Sequence, residues 1–273
     1  MKKIKTESIE KSGSILFVPH GGGPLPLLGD EGYSEMVYFL KEITPTLGNP
    51  SAIIVISAHW EESQVTITSG KTPALIYDYY GFPDKAYEVK YTAPGNPSLA
   101  NKIYRLLQKG GIESKLDEHR GFDHGLFVPL KIMYPEATIP CIQLSLVKGL
   151  IPKIHIQIGK VLSKLRNENI LIIGSGMSFH NLKALMSQNT EAFDRKNEVF
   201  QQWLISICTN NNLLPDEREK NLIGWSDAPF ARYCHPREEH LLPLHVCYGI
   251  ANSVAKLAFA GNVTGKKVCA FRW

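Results

Sequence analysis

Nine histidines lie along this chain, and three of them share a local setting. Ser14-Ile15-Leu16-Phe17-Val18 runs into Pro19-His20-Gly21-Gly22-Gly23. Ile53-Ile54-Val55-Ile56-Ser57 runs into Ala58-His59-Trp60, and Ile170-Leu171-Ile172-Ile173 into Gly174-Ser175-Gly176 and then His180. Apolar, β-branched runs of this length suit strands buried on both faces. In an open α/β sheet, ligands bind beyond the carboxyl ends of the strands, where loops converge over a rigid edge. One histidine there is more often a hydrogen-bonded loop residue. Three at one edge, beside glycines that permit close approach, point to a shared site. Neutral imidazole binds iron, zinc, copper and nickel, so the chemistry on offer is metal binding.

Further imidazoles fall in His235-Pro236-Arg237-Glu238-Glu239-His240-Leu241-Leu242-Pro243-Leu244-His245. His240 and His245 are five apart and would project from different faces of a helix, and His235 precedes it. Spacing alone chooses no ligand among them. His124, in Gly121-Phe122-Asp123-His124-Gly125, opens a helix ahead of Val128-Pro129-Leu130. His119 and His155 read as surface residues. The five cysteines form no Cys-x-x-Cys pair and are odd in number, so they read as reduced, mostly buried thiols rather than a disulfide framework or a thiolate zinc site.

The elements that must hold these residues are readable in outline. Ile139–Leu146 adds a fourth strand. Helical spacing appears over Pro97–Gln108, with Asn96 as N-cap and a stop at Gly110-Gly111. It appears again over Pro152–Leu165, with a stripe of Ile154, Ile158, Val161, Leu162 and Leu165, and over Glu191–Cys208 and Glu239–Val254. The alternation predicts a single α/β domain spanning residues 1–273, with a central mixed sheet flanked by helices and the metal site at the carboxyl ends of the strands. Residues 1–13 read as a flexible extension. Asp78–Pro97, rich in Tyr, Gly and Pro, reads as a long ordered loop of the kind that often carries function.

Composition narrows the function classes. The chain is 44% hydrophobic and 21% charged, as in a globular protein with a substantial core. A net charge of +4 is spread too thinly for a nucleic-acid footprint. No apolar stretch nears the ~20 residues of a membrane span, and the N-terminus lacks the apolar region of a secretory signal. The expected compartment is the cytoplasm, with no nucleic-acid or membrane partner.

In combination these motifs resemble the class III extradiol ring-cleaving dioxygenases, and most closely the single-chain branch of 4,5-DOPA extradiol dioxygenases. The resemblance runs from Phe17 to about Ile250. It rests on Ser57-Ala58-His59-Trp60; on Gly81-Phe82-Pro83 and Tyr91-x-Ala93-Pro94-Gly95-x-Pro97; on Gly121-Phe122-Asp123-His124-Gly125; on Ser175-Gly176 leading to His180-Asn181-Leu182; and on Glu239-His240-x-Leu242-Pro243-Leu244. It implies that His20, His59 and His240 ligate the metal. His180 is then the acid/base, His124 orients the substrate, and Tyr79, Phe82 and Tyr91 border it. Glu239 is not expected to replace His240, because neighbours on a helix project about 100° apart. The first motif departs from the family's Gly-His-Gly-Ser-Pro by reading Pro19-His20-Gly21-Gly22-Gly23-Pro24.

The resemblance further implies that Fe(II) binds a catechol and O₂ together, with Zn²⁺ able to occupy the site in purified protein. His180 would move a proton as the ring opens to a semialdehyde. Two other readings share the ligand set: a zinc-dependent hydrolase, and a non-enzymatic metal-binding relative of the Memo type. The sequence chooses neither the catechol nor the oligomeric state.

Overall fold

The computed structural model describes residues 13–185 and 194–273. Residues 1–12 of the expected extension and the start of the helix expected from Glu191 lie outside the described residues. Among those described, the strands are β1 (Ile15–Pro19), β2 (Ala52–Glu62), β3 (Val65–Thr68), β4 (Ser114–Asp117), β5 (Cys141–Val147), β6 (Ile170–Gly176), β7 (Lys256–Val263) and β8 (Lys266–Arg272). They form one sheet in the order β4-β3-β5-β2-β6-β1-β8-β7.

The four apolar runs are the middle of that sheet. β5, β2, β6 and β1 are neighbours and mutually parallel. Their alternate residues supply two separate cores: Ile53, Val55, Leu171 and Ile173 face one side, and Ile54, Ile56, Ile170 and Ile172 the other. Helices Ser34–Ile43, His124–Met133 and Arg195–Thr209 cover the first side. Pro97–Lys109, Pro152–Leu162 and Leu242–Ala251 cover the second. Antiparallel β8 and β7 extend one flank, and β3, antiparallel to β5 with β4 parallel beside it, extends the other, so the sheet is mixed.

Asn96 caps the Pro97–Lys109 helix as expected, its side chain accepting the Leu99 N–H at 3.0 Å. The Pro152–Leu162 helix is rotated from its expected stripe. Ile154 is 40% exposed, whereas His155, Ile156, Ile158, Gly159 and Leu162 face inward. The cause is a close helix crossing at Gly159, where a Cβ would stand 2.2 Å from the Val246 carbonyl oxygen. His155 is therefore fully buried rather than at the surface; it accepts the Val147 N–H on Nε2 and donates from Nδ1 to the Ile151 carbonyl. All five cysteines are free and buried. No helix among the described residues is long and apolar enough to cross a membrane.

Candidate metal centre

The carboxyl ends of β1, β2 and β6 meet at one edge, and their registers fix the histidines there. His20 follows β1 directly, its N–H donating to the Gly176 carbonyl at 3.2 Å. β2 does not stop at Ser57. Ser57 is its last residue paired to β6, after which the strand bulges and resumes at Glu61 beside Leu146. His59 thus stands on the bulge of a continuing strand, where a side chain can be re-aimed, and not in a turn. His180 lies four residues beyond β6, its N–H donating to the Cys234 carbonyl at 2.9 Å.

His240 arrives from the other end of the chain. The Met177 N–H donates to its carbonyl at 3.0 Å. That approach needs Gly176, because a Cβ there would lie 2.1 Å from the same oxygen. The following helix starts at Leu242, not at Glu239. Glu239 and His240 therefore sit in the turn before it, the helical spacing that separated their side chains does not apply, and both face the cluster. The glycine-rich turn after β1 also has a use. Gly21 holds a φ of +84°, and Phe82 packs against Gly23, where a Cβ would meet its ring at 3.2 Å.

The structure brings His20, His59, His124, His180 and His240 together. His20 and His59 ring centroids are 4.8 Å apart, His59 and His240 4.9 Å, and His20 and His240 5.2 Å. His124 stands 3.8 Å from His59, and His180 stacks on His240 at 3.3 Å. Their donor atoms fall into two sets of three, His20 with His59 and His124, and His180 with Glu239 and His240, each within 4.8 Å. His235 and His245 lie outside the cluster and face backbone carbonyls, His235 that of Ser178 and His245 those of Leu222 and Leu241.

Hydrogen bonding sets which ring nitrogens are free. Ser175 gives its hydroxyl hydrogen to the Gly125 carbonyl, so it accepts from His20 Nδ1 at 3.0 Å and leaves the His20 Nε2 lone pair open. His240 Nδ1 donates to Glu239 Oε1 at 2.9 Å, with the same result. His59 Nδ1 faces Asp78 Oδ2 at 3.7 Å. Metal-bound histidines generally hand their second N–H to such an acceptor. Burial, and then the neighbouring imidazoles, hold His20, His59 and His240 well below the usual imidazole range, so these rings stay neutral. The 2.9 Å between His20 Nε2 and His59 Nε2 is too close for two bare lone pairs. It is near the ~3 Å expected of two nitrogens each about 2.1 Å from one ion and at right angles. The donor set fits a metal cation.

Several residues that hold the histidines were not singled out from sequence. Asp78 accepts the His124 N–H at 2.9 Å, and its Oδ1 is also 2.9 Å from His124 Nδ1. Buried Asp123 accepts from Ser57 Oγ at 2.7 Å, from Arg120 at 3.1 Å and from Gln143 Nε2, fixing the strand that carries His59 to the helix that His124 opens. Asp123 stands within a motif of the resemblance and Asp78 opens the loop that carries Gly81-Phe82-Pro83, the only local signals they give. Tyr79, 5.8 Å from His124, and Phe82, 5.4 Å from Tyr79, border the cluster. Tyr91 does not. The loop turns back after Val89, the Cys141 N–H donates to the Pro94 carbonyl, and Tyr91 is buried near Cys141 and Tyr134 at the amino end of β5, the opposite edge of the sheet.

The buried histidines outside the cluster predict an acid sensitivity. Burial lowers His155 to about 4 and His235 to about 3, against 6.5 for a free imidazole. As pH falls through 6.5 the unfolded chain takes up these protons and the folded chain does not. Stability is thus complete above pH 6.5 and declines below it, by about 2 kcal/mol for each of these residues by pH 5. Urea titration of the metal-free chain at pH 7.5 and pH 5 should show a clearly lower midpoint at pH 5. Equal midpoints would contradict their neutral burial.

Comparisons with known proteins identify the family. Residues 22–270 match the family model described as the catalytic LigB subunit of aromatic ring-opening dioxygenase. A 4,5-DOPA dioxygenase extradiol of Beta vulgaris is 40% identical, with 90% of each chain covered. The dioxygenase tasH of Hapsidospora irregularis is 37% identical over 95% of this chain and 85% of its own. The crystal structure of an uncharacterized protein from Escherichia coli K12 superposes with a TM-score of 0.76 at 27% identity, covering 95% of this chain and 99% of that one. With its buried histidine cluster at the expected sheet edge, the chain belongs to the family of the catalytic LigB subunit of aromatic ring-opening dioxygenases.

Proposed function

We propose that the protein opens a catechol-type ring with O₂ in the extradiol manner, with His20, His59 and His240 holding Fe(II), to give a ring-opened semialdehyde. The observation that carries this reading is the inward-facing Nε2 atoms of His20 and His59, 2.9 Å apart, with the His240 ring against both and its Nδ1 tied to Glu239. Fe(II) bound by these three residues would supply the redox chemistry that lets O₂ react with a closed-shell ring. Relatives named for 4,5-DOPA and other dioxygenase activity support the substrate class.

The chain's own residues do the rest. His180, with its side chain 19% exposed and Nδ1 3.1 Å from Glu239, holds or delivers a proton at Nε2. His124 has its backbone N–H held by Asp78, whose carboxylate also lies 2.9 Å from its Nδ1, and turns a second imidazole toward the substrate. Tyr79 and Phe82 wall the ring's side of the site, and the Tyr79 hydroxyl is engaged by the Ala86 carbonyl, so it offers an aromatic face. The five buried, free thiols accord with a cytoplasmic setting.

The test is anaerobic loading of the metal-free protein with Fe(II), followed by O₂-uptake measurements over a panel of catechols. The expected result is stoichiometric O₂ consumption, both atoms of ¹⁸O₂ in the product and a yellow ring-opened compound. Absence of O₂ uptake across the panel, with ester or amide cleavage by the zinc-loaded protein, would install the hydrolase in its place.

A further inference from the structure

Two carboxylates divide four of the five histidines in the same way. Glu239 Oε1 stands 2.9 Å from His240 Nδ1 and 3.1 Å from His180 Nδ1. Asp78 places Oδ1 2.9 Å from His124 Nδ1 and Oδ2 3.7 Å from His59 Nδ1. The joined rings are also the closest ring pairs in the cluster, His180 with His240 at 3.3 Å and His59 with His124 at 3.8 Å. We propose that Asp78 and Glu239 are paired positioning residues, each clamping one metal-ligating histidine to one working histidine so that the Nε2 atoms of all four turn inward. The proposal rests on the ligand reading given above.

An ionised carboxylate only accepts hydrogen bonds. Any neutral imidazole facing it must carry its proton on Nδ1, which frees Nε2 for a metal or a substrate proton. Glu239, at hydrogen-bond distance from two rings, therefore sets two tautomers at once and ties the direction of the working ring to that of the ligand. The remaining oxygen of Glu239 is occupied: Arg237 lies 3.4 Å from Oε2 and pairs with Glu61 at 2.6 Å, on the stretch of β2 just beyond His59. This leaves Oε1 for the two imidazoles and links the Glu239 clamp to the strand bearing the other clamped ligand. Asp78 opens the segment that continues to Tyr79 and Phe82, so its clamp joins the metal site to the wall of the substrate site.

The tautomers can be read directly. In the full chain labelled with ¹⁵N-histidine and free of metal, two-bond ¹H–¹⁵N spectra should show His124, His180 and His240 in the Nδ1–H form. Glu239→Ala should release His180 and His240 alone, and Asp78→Ala should release His124 alone. Each should weaken Zn²⁺ binding, measured by chelator competition, by about 10- to 100-fold, the usual effect of losing a ligand's hydrogen-bond acceptor. Glu239→Gln retains an accepting oxygen and should recover most of that loss. Should an alanine variant fail to fold, Glu239→Met or Asp78→Leu fills the space without an acceptor and carries the same test. Wild-type affinity in an acceptor-free variant, with its ring or rings still in the Nδ1–H form, overturns the proposal. His240→Ala separates the two levels: if it binds Zn²⁺ as the wild type does, the ligand reading has failed, whereas its loss of metal beside an unaffected Glu239→Ala sinks the positioning role alone.

Discussion

Alanine at His20, His59 or His240 is expected to lower metal content to background and to abolish ring cleavage, whereas alanine at His235 or His245 should leave both near the wild-type level. Under the proposed ligand set three nitrogens hold the metal, so losing one removes a third of the protein's donors. The effect should exceed the ~10- to 100-fold that follows loss of a mere supporting acceptor. The negative half of the prediction is as informative. His235 and His245 are fully buried and neighbour the same turn, but their ring nitrogens face the carbonyls of Ser178, Leu222 and Leu241. Their replacement should reduce thermal stability and not metal content. Metal analysis of the purified variants, after loading and desalting, decides between the assignments. Full occupancy in His20→Ala or His59→Ala removes that residue from the set, and depletion in His245→Ala with retention in His240→Ala transfers the third position.

What could be read from sequence follows the strength of local signals. The four central strands are continuous apolar runs, because parallel strands covered on both faces have no polar side to interrupt them. β7 was missed for the converse reason: it is an edge strand buried only at its last residue, and its Lys256-Leu257-Ala258-Phe259-Ala260-Gly261-Asn262-Val263 carries no sustained period. β3 and β4, four residues each, are too short to show one. The histidines at the ends of β1 and β6 were legible because strand ends are legible. His59 was placed correctly in space but wrongly in local structure, since a bulge that continues a strand and a turn that ends it look alike in Ala58-His59-Trp60.

Tertiary contacts decided the remainder. The close glycine crossing at Gly159 turned His155 inward, and no periodicity over Pro152–Leu162 alone could have announced it. Glu239 was set aside on helical geometry that begins only at Leu242, and the turn instead aims both carboxylate and imidazole at the centre. Tyr91 was assigned to the site because its motif lies on the same loop as Gly81-Phe82-Pro83. The loop, however, is long enough to travel from one edge of the sheet to the other, and only its first residues stay with the histidines. Asp78, 46 residues from His124 in the chain, had no neighbour in sequence to betray it.

His180→Ala should separate binding from turnover, keeping most of the metal while losing about 10²- to 10⁴-fold in rate, the usual share of a general acid or base. His180 stands differently from the three ligands. It comes from the stretch beyond β6, its N–H anchored on the Cys234 carbonyl, and it lies face to face on His240 with the rings 15° from parallel. Parallel rings at 3.3 Å, both with Nδ1 on Glu239, direct their Nε2 atoms along similar lines and side by side. The His180 Nε2 thus lies beside that of His240, where under the proposed ligand set it would neighbour a bound substrate. Its side chain is 19% exposed against 4% for His240, so it is open to solvent, with which a carried proton must exchange. An alanine there opens a small gap at the mouth of the site, into which free imidazole can diffuse. Added imidazole should therefore restore part of the lost rate in His180→Ala at unchanged metal content, and should do nothing for His240→Ala. If metal affinity instead falls in step with activity, and imidazole restores both together, His180 is a fourth ligand and the proton must be carried by another group, of which His124 is the nearest in kind.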